Sequence, residues 1–135
     1  MGATNGLAKK ERISSKTEIE LLFTKGSSFF IYPLKVVYFE KACEVEEEKP
    51  VVSIMVSVSK KKFKRAVKRN RLKRLIKESY RLNKSLLIGK IINQPRSVSV
   101  GFIYLAHEEK TYSEIESAMQ EALEILSAKV TEIEP

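Results

Sequence analysis

The chain has 135 residues, 43% hydrophobic and 31% charged, which suits one globular domain spanning 1–135 and excludes a wholly disordered chain. Its net charge is +8, yet Lys60–Lys84 alone holds 13 Lys or Arg against one acid, Glu78; that window is +12, so the rest of the chain carries −4. There is no membrane-length apolar run, a single cysteine (Cys43), a single histidine (His107) and no Asp at all, which excludes a membrane span, an intramolecular disulfide, a cysteine-based metal centre and a two-His nuclease site.

In chain order, residues 1–8 are expected to be disordered, and MGATNGLAKKERISSK lacks the apolar stretch of a secretory signal, so a cytoplasmic location is expected. Ser15-Lys16-Thr17-Glu18 has capping-box form. Ile19, Leu22 and Phe23 then form one apolar stripe, and Gly26 is placed to end a short helix as its C′ residue. Ser27–Tyr32 and Leu34–Glu40 read as strands that meet at Pro33, with aromatics concentrated in both. Glu44–Pro50 is an acidic loop. Val51–Val58 alternates, with Val52, Ile54, Val56 and Val58 on one face and Ser53, Met55 and Ser57 on the other. Ser85–Arg96 is ambiguous, because Gly89 and Pro95 interrupt its apolar residues. Ser97–Leu105 is an apolar strand. Ser113-Glu114-Ile115-Glu116 reads as a second capping box, opening a helix to Ala128 with Ile115, Ala118, Met119, Ala122 and Leu126 inward. The order is α-β-β-β-α-β-α.

The basic window is itself periodic. As a helix from Ala66, it places Leu72, Leu75, Ile76, Ser79, Tyr80 and Leu82 on one arc, with Asn70, Arg71, Lys73, Arg74, Lys77 and Arg81 on the remainder and Arg69 at the edge of the apolar arc. Cationic neighbours at i,i+3 and i,i+4 repel one another. A face this poor in acids therefore points to a polyanionic partner, and Arg69-Asn70-Arg71 supplies forks for phosphate and an amide for a base edge or a ribose hydroxyl.

Ser57-Val58-Ser59-Lys60-Lys61, followed by AVKRNRLKRLIKESYR, resembles the signature of the bacterial ribonuclease P protein subunit, and the resemblance covers roughly Lys9–Ala128. It implies an α+β fold: a two-layer sandwich on a four-stranded sheet with a left-handed β-α-β crossover, against the usual hand. It implies a protein with no catalytic residue of its own, whose cofactors are a catalytic RNA subunit and Mg2+ bound mainly by that RNA. The partners implied are the ribonuclease P RNA and precursor tRNA, with no membrane and no DNA. The reaction implied is endonucleolytic removal of the 5′ leader. By position, Lys61, Arg65, Lys68, Arg69, Asn70, Arg71, Lys73, Arg74 and Lys77 would contact the RNA, while Phe23, Tyr38, Ile19 and Ser57 would line the leader groove. Phe23 and Tyr38 each have a second reading as core residues, Phe23 as an inward residue of its helix and Tyr38 as ordinary sheet core.

The chain departs from the family pattern in four places. Ile19 stands where many members have Phe, Ser53-Ile54-Met55 replaces Arg-x-Gly, Lys77 replaces an Arg, and Leu105-Ala106-His107 stands where the last strand often ends in Ala-Arg. The rival reading is a ribosomal or ribosome-assembly RNA-binding protein. A helix-turn-helix DNA binder fits less well, because the basic helix follows a strand rather than a helix.

Overall fold

The computed structural model describes residues 13, 16–42, 52–91 and 96–131. The acidic loop, Ser15 with its capping role, Cys43 and residues 1–8 lie outside them. The elements are α1 (Lys16–Lys25), β1 (Ser27–Ile31), β2 (Leu34–Ala42), β3 (Val52–Val58), α2 (Ala66–Asn83), α3 (Ser85–Ile91), β4 (Arg96–Tyr104) and α4 (Tyr112–Thr131). The expected order holds, with α3 added inside the ambiguous stretch. Leu87 anchors that helix in the core at 0% exposure, although Gly89 stands within it.

The four strands form one mixed sheet in the order β1-β2-β4-β3. β1 pairs antiparallel with β2, β2 antiparallel with β4, and β3 parallel with β4. A parallel pair cannot be closed by a tight turn, so α2 and α3 form the connection between β3 and β4. At the outer edge of β3, the Ile13 N–H donates to the Ile54 carbonyl at 3.0 Å.

Strand alternation gives the sheet two different faces. Leu34, Val36, Ile54, Val58, Val98, Val100, Phe102 and Tyr104 line one face, which α2, α3 and α4 cover with Leu72, Ile76, Tyr80, Leu87, Ile115, Met119, Leu123 and Leu126. The Tyr80 and Phe102 rings meet with centroids 6.0 Å apart. Each fully buried aliphatic side chain here contributes about 1.5–3 kcal/mol. Helix α1 lies on the opposite face. Its Leu22 sits over Gly101, where an added Cβ would stand 3.2 Å from Leu22 Cδ2, and Gly101 aligns across the sheet with Val37 and Met55.

Several local expectations are corrected. Leu22 alone of the first apolar stripe is buried; Ile19 is half-buried and Phe23 is 47% exposed. Helix α1 packs on β2 and β4 with Leu22 as its buried side chain, which leaves Ile19 and Phe23 on its flank. Leu82, at the margin of the α2 arc, is 54% exposed. The second capping box starts two residues earlier than read, since Thr111 and not Ser113 precedes the first helical residue. The Glu114 carboxylate accepts from the Thr111 N–H and Oγ1, both at 3.1 Å, and the Glu114 N–H donates to Thr111 Oγ1 at 3.2 Å. The sequence TYSEIE contains two overlapping S/T-x-x-E patterns, and the helix uses the first. Gly26 does not adopt the left-handed conformation. Its need for glycine is steric: a Cβ would collide with the Leu22 carbonyl oxygen and stand 2.8 Å from that of Tyr38.

Two expected outcomes follow from these positions. Gly26→Ala lowers stability by about 1–3 kcal/mol, whereas Gly89→Ala, with open space around its Cβ, is neutral or stabilising by up to about 1 kcal/mol; thermal unfolding of the two variants checks this. The Thr111 backbone bond, then its hydroxyl, holds the Glu114 carboxyl below the ordinary range. A depressed carboxylate contributes stability above its unfolded pKa and loses it as pH falls through the folded value. Thr111→Ala therefore lowers Tm at pH 7 and narrows the gap between Tm at pH 7 and at pH 3.

Candidate nucleic-acid interface

The basic window begins as β3 ends. Its turn is clamped to the sheet by its own side chains. Phe63 is buried and meets the Tyr104 ring at a tilt, with centroids 5.8 Å apart. Lys62 Nζ donates to the Leu105 carbonyl at 2.5 Å, and the Lys61 N–H donates to Ser59 Oγ at 3.1 Å. Tyr104 fixes the facing loop: its hydroxyl donates to the Glu108 carbonyl at 2.7 Å and accepts from the Lys110 N–H at 2.9 Å.

The N-terminus of α2 is left open. Arg65 is its N-cap, extended at φ −82 and ψ 127, with no side-chain capping bond, and the first turn contains no acid. The leading N–H groups of a helix have no partner within it and carry the positive end of its dipole, which favours an anion. Beside this terminus lies a groove of about 390 Å³ lined by Lys62, Lys64, Arg65 and Lys68, with His107, Glu108 and Glu109 opposite. Glu109 pairs with Lys68 at 3.6 Å. An ion pair this exposed contributes well under 1 kcal/mol, so a phosphate could displace the carboxylate at little cost.

The structure gathers the expected RNA-binding side chains on this turn and on the outward face of α2. Lys61, Arg65, Lys68, Asn70, Arg71, Arg74 and Lys77 are exposed and Lys73 is half-exposed. Arg69 differs: it turns inward, and its Nη1 donates at 2.8 Å to the carbonyls of both Phe63 and Lys64. Its position at the edge of the apolar arc accounts for this, because the turn's carbonyls lie on that side. Arg81 is matched by the window's one acid, with Nε and Nη2 donating to Glu78 at 3.0 and 2.7 Å. The Arg81 guanidinium holds the Glu78 carboxyl below its ordinary value.

The expected leader-binding residues are divided between the two faces. Ile19 and Phe23, one turn apart, share a flank of α1 on the far face of the sheet. Ser57 is half-buried on that same face of β3. Tyr38 is not with them. It aligns with Val100, packs on the main core and meets Phe29 at 6.1 Å. The reason is the period of two: Val37 is the residue of β2 that faces α1, so its neighbour must face away. The reading of Phe23 as a core residue is excluded by its 47% exposure, since Leu22 takes the inward position.

Sequence reasoning missed the structural use of Lys62 and Arg69, which donate to carbonyls far along the chain or across a turn. It also missed a second aromatic surface. Phe30 and Tyr32 are 64% and 63% exposed, and each has an ammonium over its ring at 5.4 Å, from Lys35 and Lys110. The signal was available in part, because Phe29 and Phe30 are adjacent in a strand and cannot both face the core.

The model of the family described as Ribonuclease P matches residues 7–127. The chain belongs to that family. It is 42% identical over 121 residues to the ribonuclease P protein component of Porphyromonas gingivalis strain ATCC 33277, covering 90% of this chain and 86% of that protein. It is 40% identical over 83 residues to the one from Chlorobium phaeobacteroides, covering 62% and 57%. Among solved structures, the Staphylococcus aureus RNase P protein superposes with a TM-score of 0.62 at 25% identity, covering 87% of this chain and 95% of that one. The Thermotoga maritima RNase P protein, at 19% identity, shares the fold with a TM-score of 0.65 over 85% and 96%.

Arg69 and Arg74 separate scaffold from surface. Arg69→Ala should cost about 1.5–3 kcal/mol through its charge-assisted bonds to the turn, whereas Arg74→Ala stays within about 0.5 kcal/mol of the parent. Urea unfolding of the RNA-free protein measures both.

Proposed function

We propose that the chain is the protein subunit of a ribonucleoprotein endoribonuclease that removes the 5′ leader of precursor tRNA in the cytoplasm. The observation that carries the proposal is the cationic face of α2, almost free of acids, beside an uncapped helix N-terminus on a turn clamped to the sheet. Phosphates of a structured RNA match that surface in charge and in donor geometry. Lys61, Arg65, Lys68, Asn70, Arg71, Lys73, Arg74 and Lys77 bind the catalytic RNA, and Arg69 sets the turn on which they are displayed. The leader lies along the α1 face of the sheet, against Phe23, Ile19 and Ser57; Tyr38 is left out of this groove. A ring at Phe23 stacks on an unpaired base of any identity.

The protein contributes binding, and the hydrolysis belongs to the RNA. Among the described residues, no three His, Cys, Asp or Glu side chains stand together; in this proposal the Mg2+ is bound mainly by the RNA. Among the described residues, no helix is long and apolar enough to cross a membrane. The rival, a ribosomal or ribosome-assembly RNA-binding protein, is not favoured by the relatives.

Reconstitution with the catalytic RNA and labelled precursor tRNA at low Mg2+ tests the proposal. The complex cleaves at the 5′ leader junction and the RNA-free protein does not; cleavage by the protein alone overturns the assignment. Assembly weakens by about 0.7–0.9 log units per log unit of salt for each phosphate neutralised, and Arg74→Ala removes about one such contact from the slope. Phe23→Ala weakens holoenzyme binding to precursor tRNA by about 1–3 kcal/mol and leaves mature tRNA unaffected, as paired Kd measurements would establish.

A further inference from the structure

The α1 face of the sheet continues beyond the part that α1 covers. Leu22 sits on the row formed by Met55, Gly101 and Val37. The next row toward the β1–β2 turn is Ser57, Ile103, Lys35 and Phe30, aligned strand to strand from β3 across to the β1 edge. Three interstrand spacings make this row about 14 Å long. It starts at Ser57, just ahead of the basic turn, and ends at a ring 64% exposed, with Tyr32 at 63% in the turn beyond.

Two rings near this end of the sheet each have an ammonium beside them, Phe30 within the row and Tyr32 in the turn beyond it. Lys35 Nζ stands 5.4 Å from the Phe30 ring centroid and Lys110 Nζ stands 5.4 Å from that of Tyr32. Lys110 is held in place by Glu108 at 3.3 Å and Glu114 at 3.9 Å, and the turn is tied to the end of β4 by the Leu105 N–H donating to the Pro33 carbonyl at 2.7 Å. Two exposed rings, each with a cation beside it, present the two things an unpaired nucleotide carries partners for: a flat face for the base and a positive charge for its phosphate. A purely apolar protein partner would leave both ammonium groups to be desolvated.

We infer that Phe30 and Tyr32, with Lys35 and Lys110, form a second stacking station for single-stranded RNA, which takes the part of the precursor leader farther from the cleavage site than the part held at Phe23. This rests on the proposed leader groove and extends it to the β1 edge. Bases stack on the open faces of the two rings, and the Lys35 ammonium shifts from its ring to a backbone phosphate, while Lys110 stays paired with Glu108 and Glu114 beside Tyr32.

The test measures holoenzyme affinity for precursor tRNAs whose leaders lengthen one nucleotide at a time, with mature tRNA as the baseline. The Phe30→Ala/Tyr32→Ala double variant binds the longest leaders at least about fivefold more weakly than the parent, and binds the shortest leaders and mature tRNA equally well. Phe23→Ala already loses affinity on the short leaders. Because a ring carries no charge, the double variant keeps the parent's salt slope, whereas Lys35→Met reduces it on long leaders only. If the double variant matches the parent at every leader length while Phe23→Ala does not, the second station is overturned and the groove at Phe23 stands. If neither variant depends on leader length, both fall. An equal loss on mature tRNA also overturns the inference, because the rings would then contact something other than the leader.

Discussion

The parallel pairing of β3 with β4 governs this molecule. Parallel neighbours cannot be joined at one end of a sheet, so the chain must leave at Val58, travel the length of the sheet and re-enter at Arg96. The basic window is that connection. Its turn is therefore fixed where the parallel strands end, and its helix is fixed against the sheet by Leu72, Ile76 and Tyr80. The cationic residues inherit their direction from this packing. Were β3 and β4 antiparallel, a short turn would suffice, and nothing would oblige the charged segment to lie rigidly along the domain.

Rigidity matters because this charge repels itself. The structure answers the repulsion in three ways. Arg81 is matched to Glu78 at bidentate distance. Arg69 is withdrawn from the surface and used as a donor to the turn. Lys68 meets Glu109 across the groove. Among the described residues, the cations with no acid beside them are concentrated on the outward face of α2 and its leading turn. At the other end of α2, Asn83 bonds to the Ser79 carbonyl, Glu116 and Gln120, joining the helix to α4 through neutral and acidic groups. The helix is thus held by polar bonds at its far end and by the clamped turn at its start.

Most of the fold could be read from the residues, because period and punctuation agree with it. The alternation of Val52, Ile54, Val56 and Val58, the stripe in α4 and the arc of Leu72, Ile76 and Tyr80 all correspond to buried faces. The failures came where a decision rests on long-range contact. Helix α3 depends on Leu87 reaching the core beneath α4, which outweighs the Gly89 interruption. Thr111 rather than Ser113 caps α4, a choice between two patterns of equal local merit. In the candidate site, the basic residues were legible from charge alone, but Arg69's inward turn was not, since it depends on where the Phe63 and Lys64 carbonyls come to rest. For Tyr38 the residues alone leave groove and core both open, and the period of two along β2 turns it toward the core.

The strand order has a consequence for the nascent chain. β4 is the last strand in sequence and yet lies inside the sheet, between β2 and β3. Until residue 104 has been synthesised, the β1–β2 hairpin and β3 have no strand to join them, and each presents open edges. The whole cationic segment, from Lys60 to Lys84, emerges before its scaffold can close. Sheet formation in this domain is thus a late, non-local event. For part of its synthesis the chain displays its most highly charged stretch without the layer that will hold it, so any polyanion nearby meets that stretch first as a flexible polycation and only later as a shaped surface.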